Sequence, residues 1–246
     1  MRFHVEHLRE IIETISPATG ITDRDMLERL ASYCALIFDE NKKYNLTGHK
    51  STTDIALNLI AGSLTPLNLE DVPRGTSLAD MGTGAGVPGI PLAIRYPDLN
   101  LTLFDSTGKK ISFIETAAGS LGIKNVRAVC ARIEDLAGEK TYREAFDIVV
   151  SRAMSDVYMA GELCSQFIKV NGLLYLYVSD RQKNLEKPVI EHLSRLNLRA
   201  AGNTPPLSVK TCGGLLLKKT GKTSDTYPRR ITAIKRGISE FEKGTA

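Results

Sequence analysis

The sequence predicts an α/β protein with a mostly parallel, doubly wound sheet and an N-terminal helical segment. Three observations lead to this prediction. Residues 1 to about 70 show helical spacing alone, whereas from Thr76 onward short apolar segments alternate with helical patterns. A glycine-rich segment also follows the first of these apolar segments. Because parallel neighbours need a crossover connection, usually a helix, this alternation is typical of a parallel sheet covered on both faces.

The N-terminal helical segment is expected to span residues 1–72. Thr22–Asp25 resembles a capping box, and apolar residues follow it at helical spacing over residues 26–37. A further helix is expected to begin near Thr53-Asp54. Its apolar side would carry Ile55, Leu59, Ile60 and Leu67. Residues 71–75, with a proline and a glycine, are predicted to form the linker to the sheet.

Residues 73–222 are expected to form the sheet domain, and residues 223–246 a basic C-terminal tail. The candidate strands are residues 77–81, 99–104, 126–130, 146–151 and 172–178. The helical patterns lie near residues 89–95, 107–121, 155–169 and 182–197. Residues 215–217 can add a late, antiparallel strand, and residues 218–226 are predicted to be a flexible connector.

The glycine-rich segment after the first strand has the pattern of a ligand-binding turn. Gly82, Gly84 and Gly86 remove three side chains at alternate positions, so the backbone can approach a ligand closely. Pro88 and Pro91 lack a backbone donor and fit the first turn of the helix that follows. The pattern therefore predicts a nucleotide-type cofactor site, with a purely structural turn as the alternative.

The residues alone leave two cofactors open. Residues 84–89 satisfy the G-x-G-x-x-G pattern of dinucleotide enzymes. Residues 82–86, preceded by the acidic Asp80, equally satisfy the G-x-G-x-G loop of S-adenosylmethionine enzymes. Either cofactor requires a carboxylate at the end of the next strand to accept the ribose hydroxyls, and Asp105 occupies that position.

The charge of the chain is concentrated at its C-terminal end. The net charge is +4, yet from Leu207 onward there are nine basic residues and three acidic ones. Clustered lysines and arginines gain affinity for nucleic acid by releasing counterions, so the tail is a candidate contact for a phosphate backbone. The alternative is a solvated basic tail without a partner.

Composition excludes several classes of protein. No apolar run reaches the roughly 20 residues that cross a bilayer, and the N-terminus has acids and histidines where a signal peptide needs apolar residues. The four cysteines lie far apart without a C-x-x-C pair, at Cys34, Cys130, Cys164 and Cys212. We therefore expect a cytoplasmic protein with reduced thiols, no metal site and no membrane contact.

Taken together, the motifs resemble the bacterial 16S rRNA guanine-N7 methyltransferases, formerly called glucose-inhibited division protein B. The resemblance runs in the same order and spacing from about residue 30 to about residue 235. The matching segments are Tyr-Asn-Leu-Thr (44–47), Asp-Met-Gly-Thr-Gly-Ala-Gly-Val-Pro-Gly-Ile-Pro-Leu (80–92), Asp-Ser-Thr-Gly-Lys-Lys (105–110), Asn-Val (125–126), Arg-Ile-Glu (132–134), Phe-Asp (146–147), Ser-Arg-Ala (151–153) and Tyr-Pro-Arg-Arg (227–230). The resemblance implies a Rossmann-like class I methyltransferase fold and S-adenosylmethionine as the cofactor.

The resemblance also implies roles for individual residues. Gly82 and Val87 would line the amino-acid and ribose end of the cofactor, Asp105 would hold the ribose, and Arg152 would lie beside the reacting methyl group as the catalytic residue. The full cofactor-binding set is Asp80, Gly82, Gly84, Gly86, Val87, Asp105, Ile133, Glu134 and Arg152. The RNA-binding set, in the basic signature of the tail, is Arg229, Arg230, Lys235 and Arg236.

Two segments depart from the family pattern. The family has a His and an Asp in an H-x-x-D-S-L segment, where this chain reads Asn-Leu-Ile-Ala-Gly-Ser-Leu at 58–64, with neither a His nor an Asp. The family tends to have Lys-Gly after the fifth strand, where this chain has Tyr-Val-Ser-Asp at 177–180. Both segments would face the cofactor pocket or the RNA.

The expected reaction is transfer of a methyl group to N7 of a guanosine in 16S rRNA, free or in the small ribosomal subunit. The N7 lone pair is unprotonated at neutral pH, so this reaction needs no general base, and in-line positioning supplies the catalysis. The strand end at residues 151–154 also lacks the Asn/Asp-Pro-Pro-aromatic motif of amine methyltransferases. A diverged methyltransferase on another RNA or small molecule, and a non-catalytic ribosome-assembly module, are the alternatives. We expect a monomer.

Overall fold

The computed structural model describes residues 5–136, 138–152, 156–178, 185–201, 210–211 and 214–244. The N-terminal segment begins with two long helices, α1 (Val5–Thr19) and α2 (Arg24–Asn41). The carboxylate of Asp23 caps α2 by accepting a hydrogen bond from the Met26 backbone N–H at 2.8 Å. The cap is thus the second residue of the predicted capping box.

The third helical region is not a regular α-helix. A single turn, α3 (Thr52–Asp54), leads into a π-helix (Ile55–Ala61) and a second turn, α4 (Gly62–Leu64). Leu67, expected on the same helix, instead lies in a two-residue strand, β1 (Leu67–Asn68). That expectation was wrong because the chain turns away at residues 65–66 and pairs β1 with β8 (Lys210–Thr211).

Beyond the linker, strands and helices alternate as predicted. The remaining strands are β2 (Ser77–Met81), β3 (Asn100–Asp105), β4 (Val126–Cys130), β5 (Phe146–Arg152), β6 (Ile168–Tyr177), β7 (Leu198–Ala200) and β9 (Leu215–Lys219). The remaining helices are α5 (Gly89–Arg95), α6 (Gly108–Ser120), α7 (Ile133–Leu136), α8 (Val157–Ser165), α9 (Lys187–Arg195) and α10 (Ile231–Gly244). The mostly parallel, doubly wound sheet is therefore confirmed.

Seven of these strands form one sheet in the order β4-β3-β2-β5-β6-β9-β7. The pairs from β4 to β6 are parallel, whereas β9 runs antiparallel to both of its neighbours. The chain leaves β2 toward β3 and β4 on one side and returns to β5 on the other. The strand order thus reverses between β2 and β5, and such a reversal opens a crevice at the carboxyl ends of the strands.

Each face of the sheet has its own apolar core. On one face, α1, α2, α5 and α6 pack with the π-helix in a cluster that includes Ile15, Leu30 and Leu103. On the other face, α7, α8, α9 and α10 pack in a cluster that includes Phe104, Leu163 and Ile234. The N-terminal helices therefore share a core with the sheet, and the C-terminal helix covers its opposite face.

The prediction of a flexible connector over residues 218–226 was wrong for the first half of that segment. Lys218 and Lys219 belong to β9, and the Lys219 side chain is fully buried. Its ammonium donates to the Ser165 carbonyl at 2.7 Å and to the Thr223 hydroxyl. Lys219 and Thr223 are thus fixed in the core next to α8, which a composition rich in Lys, Thr and Gly does not indicate.

Candidate functional site

The register of the sheet brings three of the predicted site residues together. Met81 pairs with Phe104 on one side and with Ser151 on the other. Gly82, Asp105 and Arg152 are the next residues on these three strands, so they lie in one row at the carboxyl edge. This edge is the crevice at the reversal of strand order, where ligands of open parallel sheets bind.

The loop after β2 has the backbone that glycine permits. Gly82, Gly84 and Gly86 have φ angles of 74°, 59° and 78°. At Gly84, a Cβ atom would meet nothing closer than the Gly82 carbonyl at 4.0 Å, so that side of the loop is open. At Gly86, a Cβ atom would lie 2.5 Å from the Tyr33 hydroxyl, which hydrogen-bonds to the Ala85 carbonyl. The loop is therefore bare toward the crevice and tightly packed against α2.

Asp80 lies at the base of this loop and is fully buried. One carboxylate oxygen, Oδ2, accepts hydrogen bonds from the Thr83 hydroxyl at 2.6 Å and the Gly89 backbone N–H at 2.8 Å. The other, Oδ1, is buried without a hydrogen-bond partner. Burial raises the pKa of Asp80 to about 7. A buried acceptor in this position is suited to a donor from a bound ligand.

Asp105 joins the glycine loop to the start of α6. Its Oδ2 accepts from the Gly84 backbone N–H at 2.9 Å and its Oδ1 from the Thr107 backbone N–H at 2.9 Å. The ammonium of Lys110 lies 3.5 Å from Oδ2. Each carboxylate oxygen can accept more than one hydrogen bond, so Asp105 is held in place and still has lone pairs to offer.

A cavity of about 310 Å³ opens beside this carboxylate. Its polar side includes Asp105 and Glu134. Its apolar lining includes Ile133, Met159, Leu163 and Ile231. Of the predicted cofactor set, Gly82, Asp105, Ile133 and Glu134 line this cavity. Asp80, Gly84, Gly86, Val87 and Arg152 lie outside its lining, in the loop and at the neighbouring strand end.

Three residues of the cavity lining were not among the predicted site residues: Met159, Leu163 and Ile231. These are ordinary apolar residues, two on α8 and one at the start of α10. For Met159 and Leu163, the only available signal was that α8 follows β5, one of the two strands at the reversal of strand order. Nothing in the sequence indicated Ile231, because its place in the cavity depends on how the C-terminal segment returns to the sheet.

Arg152 extends from the end of β5 toward the π-helix. Its Nη2 donates to the Asn58 carbonyl at 2.6 Å, and its Nη1 lies 3.5 Å from the Ser63 hydroxyl. The guanidinium also lies 5.8 Å from the centre of the Tyr177 ring. Its charge lowers the pKa of Asp80 against the larger effect of burial, so Arg152 and the base of the glycine loop are electrostatically linked.

The two segments that depart from the family pattern meet at this arginine. Asn58 provides a backbone acceptor, and Tyr177 donates its hydroxyl to the Ser63 carbonyl at 2.7 Å. A Cβ atom on Gly62 would lie 3.6 Å from both terminal nitrogens of Arg152. A carboxylate in place of Gly62 would therefore reach the guanidinium. In this chain the Asn58 carbonyl, the Ser63 hydroxyl and the Tyr177 ring lie around that charge instead.

The four predicted RNA contacts lie in two different environments. Arg230, Lys235 and Arg236 are exposed, the last two on α10. The guanidinium of Arg229 instead pairs with the buried carboxylate of Glu162, with Nη2 and Oε2 2.6 Å apart. The RNA-binding role of all four stays a prediction, and Arg229 has a second, internal partner.

These features fit S-adenosylmethionine. Its amino group can donate to the orphaned Oδ1 of Asp80, its ribose hydroxyls can donate to Asp105, and its adenine ring matches an apolar cavity.

Within the described ranges, no cluster of His, Cys, Asp and Glu could hold a metal ion. Across the same part of the chain, no helix combines the length and the apolar character needed to cross a membrane.

Comparison with known proteins gives one family. The model of GidB, described as rRNA small subunit methyltransferase G, matches residues 26–195. A ribosomal RNA small subunit methyltransferase G of Moorella thermoacetica is 30% identical over 89% of this chain and 93% of its own length. A protein of the same name from Lachnoclostridium phytofermentans is 34% identical over 84% of this chain and 87% of its own length.

Proposed function

The chain belongs to the GidB family of rRNA small subunit methyltransferases, and on that premise we propose that it methylates N7 of a guanosine in 16S rRNA. It is an S-adenosylmethionine-dependent methyltransferase. The observation that carries the proposal is the glycine loop at the reversal of strand order, with a buried, partnerless Asp80 oxygen at its base. The family match favours catalysis over a role in ribosome assembly alone.

The protein's residues would act mainly by binding and orientation. When bound, S-adenosylmethionine supplies an electrophilic methyl group on sulfur. Asp80 would accept from its amino group, Asp105 from its ribose, and Ile133 with Glu134 would flank its adenine. The loop residues Gly82, Gly84, Gly86 and Val87 would shape the backbone around it. Holding nucleophile and methyl group in line can lower the barrier by about 7–11 kcal/mol.

The strand end supports a ring nitrogen as the target. Arg152 is a permanent cation whose donors face the Asn58 carbonyl and Ser63, so it cannot accept a proton from an amine. An N7 lone pair has no proton to lose, so the transfer needs no proton acceptor at this strand end. Arg152 would therefore bind the substrate, through a phosphate or a base oxygen beside the reacting methyl group.

The substrate guanine cannot be read inside a duplex. N7 faces the major groove, which is deep and narrow in A-form RNA. The target guanosine would lie in a loop or leave its stack to reach the crevice. The exposed residues Arg230, Lys235 and Arg236 would contact flanking phosphates and thereby position the RNA. We further propose that the protein acts as a monomer in the cytoplasm.

Nucleoside mass spectrometry tests this function directly. Small-subunit rRNA from cells with and without the gene is digested, and N7-methylguanosine is quantified. We expect one N7-methylguanosine to disappear without the gene and to return with the wild-type gene. Unchanged rRNA, together with S-adenosylmethionine binding by the purified protein, would contradict the N7 proposal and favour another RNA or a small-molecule substrate.

A further inference from the structure

The C-terminal segment contributes a wall to the proposed cofactor cavity. Ile231, the first residue of α10, lines the cavity together with Ile133, Met159 and Leu163. Three of these four residues come from β4–α7 and α8, which belong to the sheet domain. Only Ile231 comes from the tail, so the cavity is complete only when the tail is docked.

A buried carboxylate holds this segment in place. Glu162 is fully buried on α8 and accepts hydrogen bonds from the Arg229 backbone N–H at 2.7 Å and from its Nε at 3.0 Å. Its other oxygen accepts from Nη2 of Arg229 at 2.6 Å. Glu162 thus fixes both the main chain and the side chain two residues before Ile231. A buried carboxylate that lost this partner would be strongly destabilising.

Two aromatic rings complete the attachment. The His192 ring stacks on Tyr158 with a centroid distance of 3.6 Å, and its Nε2 lies 3.3 Å from Glu162 Oε2. Tyr158 also accepts a hydrogen bond from Nη2 of Arg229 at 3.2 Å. We call Tyr158, Glu162, His192 and Arg229 the tail clamp. Burial alone would raise the pKa of Glu162, but the contacts with His192 and Arg229 lower this pKa to about 2.

The same helix serves the clamp and the cavity. On α8, Tyr158 and Glu162 are four residues apart and face the tail, whereas Met159 and Leu163 are four residues apart and line the cavity. Further along α10, a Cβ atom on Gly237 would lie 2.7 Å from the Tyr158 hydroxyl, so the two helices pack closely there. A movement of the tail on α8 would therefore change the cavity directly.

We propose that Glu162 and Arg229 are positioning residues for the cofactor, which hold Ile231 against its adenine ring. This inference rests on the proposed function, because it assumes that the cavity takes S-adenosylmethionine. It assigns Arg229 a role inside the protein that differs from the phosphate contact expected of a basic tail. Neither clamp residue touches the cofactor itself; both act through Ile231.

Calorimetric titration with S-adenosylhomocysteine tests this role. Arg229→Gln should weaken the affinity about tenfold, equivalent to about 1.4 kcal/mol. The matched control is Arg230→Gln, which removes the same charge from the next, exposed residue and should leave the affinity unchanged. Ile231→Ala should weaken it about fivefold, whereas Ile190→Ala, which truncates an exposed isoleucine on α9, should have no effect.

The double variant Arg229→Gln/Ile231→Ala separates positioning from general structural support. If the clamp acts through Ile231, the double variant should bind no more weakly than the worse single variant. Additive losses, or equal affinities for the Arg229 and Arg230 variants, would overturn the proposal. If Arg229→Gln does not fold, Ile231→Ala with its control decides alone, and an unchanged affinity overturns the inference. Failure of the wild-type protein to bind would instead overturn the proposed cofactor.

Discussion

At the scale of single residues, Asp80 has two properties that act in the same direction on its ionisation. It is fully buried, which raises its pKa to about 7, and one of its oxygens has no hydrogen-bond partner. Both properties disfavour the ionised form until a cation arrives. A cationic ligand should therefore favour the ionised form of the Asp80 carboxylate, so its protonation should be coupled to cofactor binding.

The first prediction concerns this coupling. The ionised carboxylate is the form that accepts from the cofactor's amino group, so affinity should be full above pH 7 and should weaken as the pH falls through about 7. Asp80→Asn should bind more weakly at pH 8 and should lack this decrease. Calorimetry with S-adenosylhomocysteine between pH 6 and pH 8.5 measures both. Parallel pH curves for the two proteins would contradict the prediction.

The second prediction concerns Gly86. Its φ of 78° and a Cβ position 2.5 Å from the Tyr33 hydroxyl make any side chain costly. Gly86→Ala should therefore lower stability by about 1–3 kcal/mol and weaken cofactor binding. Gly119→Ala is the matched control, because a Cβ atom there meets nothing within 4 Å. Denaturant unfolding of both variants checks the prediction, and equal stabilities would refute it.

Some site residues could be predicted from the sequence and others could not. Asp80, Gly82 and Asp105 were predicted because polar or bare residues at strand ends form a local pattern. The sheet register places Gly82 beside Asp105, because both follow the paired residues Met81 and Phe104. Glu162 and Ile231 gave no such pattern. In the sequence, Glu162 has the pattern of an ordinary acidic residue on a helix. Its burial against Arg229 depends on a contact between residues that lie 67 positions apart in the chain.

At the scale of elements, the π-helix Ile55–Ala61 and the end of β5 form one unit. Arg152 donates to the Asn58 carbonyl, and Tyr177 at the end of β6 donates to the Ser63 carbonyl. π-Helical turns leave backbone groups out of the regular pattern, and such turns are frequent at functional sites. The sequence predicted a helix here but not its type, because the irregularity is set by these partners from other strands.

The third prediction concerns α10 as a surface for RNA. The exposed residues Arg230, Lys235 and Arg236 are replaced by Gln, and Arg229 is kept because it belongs to the tail clamp. RNA affinity should fall, and the slope of log affinity against log salt should decrease by about 2, at about 0.7 for each lost phosphate contact with single-stranded RNA. Filter binding at several salt concentrations measures the slope.

The matched control for this variant is cofactor affinity. Loss of phosphate contacts should leave S-adenosylhomocysteine binding unchanged, since none of the three replaced residues lines the cavity. A salt slope equal to that of the wild-type protein would mean that these cations serve solubility and do not contact RNA.

At the scale of the whole molecule, the sheet separates two cores that carry different parts of the function. The face with the N-terminal helices packs behind the glycine loop, whereas the face with α8 and α10 supplies the apolar cavity. Alternating apolar strands were enough to predict this layered arrangement. The sequence predicted that β9 would be antiparallel but not that it would lie between β6 and β7. Which strands become neighbours in the sheet depends on packing.

The fourth prediction concerns the overall stability through Lys219. Burial lowers the pKa of Lys219 to about 8, so between pH 8 and pH 10 the unfolded chain holds more protons than the folded one. Stability should therefore rise with pH in this window, by about 2 kcal/mol from this residue. Lys219→Met should lack that rise. Urea unfolding of both proteins at pH 7.5 and pH 9.5 measures the difference, and identical pH dependence would contradict it.

The position of β9 has a consequence for how the protein is made. Translation proceeds from the N-terminus at about 5–20 residues per second, so β6 emerges well before residues 215–219 can cover its edge. For those seconds the nascent sheet exposes unpaired backbone groups, a state that invites wrong partners. The residues that close this edge are followed directly by the tail that completes the cavity. A growing chain would therefore gain its cofactor site only after residues 215–231 have emerged, when its sheet edge is also protected.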